Sequence, residues 1–157
     1  MDFNELGLTG PILKGIASEN YDKPTPIQNA VIPKFLNNHD IVGIAQTGTG
    51  KTAAFGFPML QKIDIKSRTT QGLILSPTRE LCIQITNELK LYGKYCNGLN
   101  VTAIYGGASI TDQAKNIKRG SQIIVATPGR MKDMISRRLV DISKIDYAVL
   151  DLSLIHI

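Results

Sequence analysis

The sequence has no tryptophan, two cysteines and two histidines, and each scarcity excludes something. Cys82 and Cys96 fit no CxxC or metal spacing. A secreted disulfide framework needs more cysteines, so the pair reads as reduced thiols. His39 and His156 stand far apart without ligand-like neighbours, and neither is given a role. No apolar run is long enough to span a membrane, so no membrane partner is expected. The opening Met1-Asp2-Phe3-Asn4-Glu5 lacks the basic and apolar regions of a signal peptide, and a cytoplasmic location is expected. Repeats and low-complexity stretches are absent. Positive charge is dispersed, with only Lys118-Arg119 and Arg137-Arg138 as small clusters.

What is present suits a soluble globular domain. The 157 residues are 43% apolar and 20% charged, enough for one domain with a sizeable core. The net charge of +5 favours polyanionic partners, nucleic acid first. Short β-branched runs at 41–45, 73–75, 101–105, 123–126 and 148–150 read as buried strands. Segments of helical period separate them. Over 78–95, Leu81, Ile85, Leu89 and Tyr92 share one face. Strands alternating with helices predict an α/β fold, a parallel sheet with helices on both faces. Two helix starts are marked by Thr9 with Pro11 and Thr25 with Pro26, where a hydroxyl can cap the first turn and proline lacks an N–H that would have no partner there.

The sharpest motif is Ala45-Gln46-Thr47-Gly48-Thr49-Gly50-Lys51-Thr52, after an expected strand and before an Ala-rich helical segment. Gly48 and Gly50 allow a tight turn whose successive N–H groups converge on a phosphate. The following helix adds its positive end. Lys51 supplies charge to the β- and γ-phosphates, and the Thr52 hydroxyl can ligate Mg²⁺. Thr47 and Thr49 complete the nucleotide-binding loop. Such a loop alone does not separate kinases, transport ATPases, GTPases and helicases. Upstream, Gln28 in Tyr21-Asp22-Lys23-Pro24-Thr25-Pro26-Ile27-Gln28 can donate to and accept from an adenine edge, and Tyr21 can stack on the base.

Together these segments resemble the DEAD-box RNA helicases. Tyr21 to Gln28 is similar to their Q motif, with Phe3 near the upstream aromatic position, and Ala45 to Thr52 resembles motif I. Pro77-Thr78-Arg79-Glu80-Leu81 is similar to motif Ia, Gly106-Gly107 to the GG motif, Thr127-Pro128-Gly129-Arg130 to motif Ib, and Val149-Leu150-Asp151 to the start of motif II. The short lead before the Q motif is similar to the bacterial RhlE-like subgroup. The resemblance covers residues 1–151 and implies a RecA-like P-loop NTPase lobe. It divides the chain into an N-terminal segment with the Q motif (1–28), a partial ATP-binding domain (29–151) and a tail foreign to the family (152–157). Its cofactors would be ATP and Mg²⁺. Gln28 would read adenine, with Tyr21 and Phe3 packing on the ring. Gly48, Gly50, Lys51 and Thr52 would hold the triphosphate, Lys51 and Asp151 would serve catalysis, and Thr52 and Asp151 would hold the metal. Thr78, Arg79, Gly107, Thr127 and Arg130 would line a path for the RNA backbone, independent of base sequence. In the intact family, ATP and RNA close a cleft between two such lobes, and hydrolysis resets local duplex unwinding.

Two departures accompany the resemblance. Leu152 stands where the family has the glutamate that orients the attacking water, so this chain is expected not to hydrolyse ATP at a useful rate. The second lobe, and the strand that would lie between those of motifs I and II, are expected but missing. The domain is thus expected to be incomplete at its C-terminus and aggregation-prone. Two other readings remain open: a non-catalytic fragment that binds ATP or RNA, and another P-loop ATPase.

Overall fold

A computed structural model describes residues 2–46 and 48–151; Thr47 and the 152–157 tail, both named above, lie outside the described residues. The chain divides into two compact units, described separately: residues 1–63 with 91–97, and residues 64–90 with 98–157.

The first unit is helical. A short 3₁₀ turn, Asn4–Leu6, precedes helices α1 (Gly10–Ser18), α2 (Pro26–Leu36) and α3 (Lys51–Lys62). Both marked helix starts form, but their caps differ. Thr25 Oγ1 accepts from the Gln28 N–H and the Gln28 side chain accepts from the Thr25 N–H, a capping box. Thr9 precedes α1 without a side-chain cap; its N–H instead donates to Gln61 Oε1 at 2.8 Å. Leu6, Leu8, Ile12, Ile16, Ile32 and Met59 are buried in this unit, and Phe3, Tyr21, Phe57 and Tyr92 form an aromatic cluster. These rings meet edge to face, with Phe57 and Tyr92 centroids 4.8 Å apart and the Tyr21 and Tyr92 hydroxyls 3.1 Å apart.

The expected strand at 41–45 does not form. Its residues pair with no strand among those described, and Val42 and Ile44 are 94% and 93% exposed. A β-branched run becomes a strand only when a neighbouring ladder takes up its N–H and C=O groups.

The second unit holds a parallel sheet of β1 (Gly72–Leu75), β2 (Val101–Ile104), β3 (Ile123–Ala126) and β4 (Tyr147–Leu150), in the order β2-β3-β1-β4. These four strands match the remaining sequence expectations to within a residue. Helices α4 (Arg79–Tyr92), α5 (Ile110–Lys118) and α6 (Pro128–Ser136) form the crossovers. The step from β1 to β2 runs one way across the sheet and the later two steps run back. Right-handed crossovers therefore set α4 against one face and α5 with α6 against the other. On the α5–α6 face, Ile104, Ile124, Ala126, Met131 and Met134 are buried together, with Leu73, Leu75, Ile110, Ala114 and Ile117 packed against them. Each fully buried Ile or Met among them contributes about 1.5–3 kcal/mol. The apolar face of α4 differs slightly from the expected one: Cys82, Ile85 and Leu89 are buried, whereas Leu81 is half-buried.

Candidate nucleotide and RNA-backbone sites

In the first unit the expected nucleotide loop is a glycine turn at a helix start. Gly48 and Gly50 have φ of +82° and +83°, the left-handed region that other residues rarely adopt. Gly50 is the residue before α3, so Lys51 and Thr52 occupy its first turn, where the N–H groups have no helical acceptor. Thr49 Oγ1 donates to the Gln46 carbonyl at 2.5 Å and fastens the turn to its own entry.

Gln28 is placed differently from an open adenine reader. It is fully buried; Oε1 accepts from the Thr25 N–H at 3.0 Å and Nε2 donates to the Gly50 carbonyl at 3.2 Å. A Cβ at Gly50 would collide with Nε2 of Gln28, so this amide packs directly on the glycine turn. These bonds use one of the two Nε2 hydrogens and one of the two Oε1 lone pairs. Phe3 is only 4% exposed and packs on Tyr21 and Phe57, whereas Tyr21 is half-buried. Phe57 and the Tyr92 hydroxyl also build this wall. Sequence reading missed both, since an aromatic at helical spacing signals only a core face.

In the second unit, Thr78, Arg79, Gly107, Thr127, Arg130 and Asp151 all follow the C-terminal ends of strands. A parallel sheet brings such loops to one edge, the usual ligand edge of α/β sheets. Thr78 Oγ1 accepts from the Leu81 N–H at 3.2 Å and caps α4. Arg79, exposed, lies over the Tyr105 ring with Cζ 4.8 Å from its centroid. Gly107, at φ +83°, is so close that a Cβ there would stand 3.7 Å from Arg79 Nη1. Thr127 precedes α6 without using its hydroxyl as a cap. Arg130 Nη1 donates to the Ala108 carbonyl and to Gln113 Oε1, both at 3.0 Å. The structure therefore gathers Arg79, Gly107 and Arg130 around one glycine turn. Nothing in the pattern of the sequence marks Gln113 or Tyr105 as part of it.

Asp151 follows β4, its N–H donating to the Leu75 carbonyl at 2.9 Å. It belongs to the second unit and Thr52 to the first. Hydroxyl and carboxylate oxygens suit Mg²⁺. Among the described residues no three His, Cys, Asp or Glu side chains form a metal cluster. No helix among them is long and apolar enough to cross a membrane.

Comparison with known proteins gives the same family from two directions. Residues 25–151 match the family described as DEAD/DEAH box helicase. The chain is 48% identical over 149 residues to the ATP-dependent RNA helicase DeaD of Mycobacterium tuberculosis and 45% identical to that of Escherichia coli. Each alignment takes in 95% of this chain but 26% and 24% of the relative, so the chain spans about a quarter of their length. Among solved structures, a DEAD box protein from the hyperthermophile Methanococcus jannaschii superposes with a TM-score of 0.91 at 41% identity, over 96% of this chain and 41% of that one. A variant of Saccharomyces cerevisiae Dbp5 bound to RNA and ADP BeF3 gives 0.86 at 34% identity, over 96% and 38%.

Proposed function

The chain belongs to the DEAD/DEAH box helicase family, and from that membership we propose that it is the lobe of an ATP-dependent RNA helicase that binds ATP with Mg²⁺ and grips the RNA backbone. The observation that supports this best is the left-handed Gly48–Gly50 turn, packed on Gln28 and opening α3. That arrangement suits a polyphosphate: backbone N–H groups and the helix end supply partial positive charge, and Lys51 supplies a full one. Thr52 and Asp151 each offer an oxygen ligand suited to Mg²⁺, a metal that neutralises phosphate charge when bound. Arg79 and Arg130, with the backbone around Gly107 and the Thr127 hydroxyl, address phosphates and no base edge, so binding is independent of sequence. In the whole protein this lobe would close on a second one and couple ATP hydrolysis to local duplex unwinding. The cytoplasm is the compartment proposed.

The 157-residue chain itself is proposed to bind without turnover, because Leu152 offers no proton acceptor beside Asp151. Titration of a fluorescent ATP analogue against the chain and its Lys51→Ala variant tests the reading. A loss of tenfold or more, about 1.4 kcal/mol or above, is expected from removing the lysine. Equal affinities would overturn it. Preference for GTP over ATP would favour another class of P-loop NTPase.

A further inference from the structure

We propose that Gln113 is a positioning residue for RNA-backbone binding, a buried amide that holds the Gly106–Gly107 turn and Arg130 in one arrangement. The proposal rests on the RNA-binding reading above and deepens it. Gln113 lies in α5 and is 6% exposed. A buried amide is costly unless both of its ends find partners. Here both do: Nε2 donates to the Tyr105 carbonyl at 3.0 Å, and Oε1 accepts from Arg130 Nη1 at 3.0 Å. The same Nη1 donates to the Ala108 carbonyl at 3.0 Å. Tyr105 and Ala108 are the residues on either side of Gly106–Gly107, so α5 holds one end of the turn and α6 the other, and Gln113 links the two holds.

The brace reaches further. The Tyr105 ring underlies the Arg79 guanidinium, and Gly107 approaches Arg79 Nη1. Arg79 and Arg130 come from helices on opposite faces of the sheet, yet both are referred to the same four residues. These hydrogen bonds engage only one of the three guanidinium nitrogens of Arg130, which has five donors in all. An arginine held in place before phosphate arrives loses less side-chain freedom on binding it. Gln113 touches no RNA in this account and acts through Arg130 and the turn.

The test measures, in the full-length protein, affinity for a fluorescein-labelled single-stranded RNA and, separately, for nucleotide. Gln113→Leu, which keeps volume and removes both hydrogen bonds, is expected to weaken RNA binding about tenfold, with nucleotide affinity within about twofold of the parent. Gln113→Glu, which keeps the acceptor for Arg130, is expected to retain more RNA affinity than Gln113→Leu. The double variant Gln113→Leu/Arg130→Ala is expected to bind RNA no worse than Arg130→Ala by more than about twofold, the non-additivity of residues that act as a unit. Parental RNA affinity in Gln113→Leu, or fully multiplicative losses in the double variant, would overturn the proposal. So would equal losses of RNA and nucleotide affinity with a lowered melting temperature, which mark a purely structural role. If Arg79→Ala and Arg130→Ala both bind RNA like the parent, the RNA-binding reading itself fails, and the inference fails with it.

Discussion

At the scale of single residues, Gly50 carries more than the motif suggests. Its φ of +83° already disfavours any side chain, and a Cβ would also strike the Gln28 amide. Gly50→Ala therefore combines about 1–2 kcal/mol of backbone strain with displacement of a buried group. Affinity for an ATP analogue should fall at least tenfold in equilibrium titration, and an unchanged affinity would show that the turn is not the phosphate site. The cysteines make a second case. Cys82 is fully buried, and burial pushes its thiol up to about 11. Cys96 is partly exposed and is also raised by burial. Iodoacetamide at pH 8 should modify Cys96 well before Cys82, as peptide mass mapping over time would show; the reverse order would contradict the packing of α4. The sign for stability follows from the same shift. A thiol whose folded pKa is raised favours the folded state below its unfolded pKa near 9, and that contribution is lost as the pH rises through about 11.

At the scale of elements, two helices that look alike in sequence start by different means. Each opens with threonine near proline, but only Thr25 closes a capping box. Thr25→Ala should cost about 1 kcal/mol in urea unfolding, and Thr9→Ala close to nothing. Equal costs would mean that the capping geometry is not what stabilises α2. The contrast marks what local sequence leaves open: whether a hydroxyl reaches the N–H ahead of it depends on how the chain enters the helix, and at Thr9 a distant Gln61 takes part in that entry. The sheet elements were more legible. Residues 72–75, 101–104, 123–126 and 147–150 form strands where short β-branched runs lie between turn residues. The equally apolar 41–45 run does not, because a ladder partner is a property of the fold and not of the run.

At the scale of the whole molecule, the two units leave apolar surface of their own. In the first, Val42 and Ile44 are almost fully exposed; in the second, the edge strand β4 leaves Leu150 67% exposed. Unpaired extended segments and sheet edges are templates for association. The 157-residue chain should therefore self-associate at micromolar concentration in sedimentation velocity, and Val42→Lys with Ile44→Lys should reduce that. Indifference to the double substitution would assign any association to another surface. The net charge of +5 acts at the same scale: RNA affinity should fall steeply as salt rises, with a slope set by the number of phosphates contacted.

The sequence by itself determined the family, the glycine turn ahead of α3, and four of the five expected strands with the helices between them. These are encoded in local patterns: glycines where φ must be positive, β-branched runs, and threonine or proline at helix starts. Only the tertiary structure decided how the groups are held. It buried Gln28 against Gly50, joined Phe3, Tyr21, Phe57 and Tyr92 into one cluster, and gathered Arg79, Tyr105, Gly107, Gln113 and Arg130 around one turn. The physical reason is that hydrogen bonds and ring contacts between distant residues depend on which faces the crossovers bring together, and no local spacing records that.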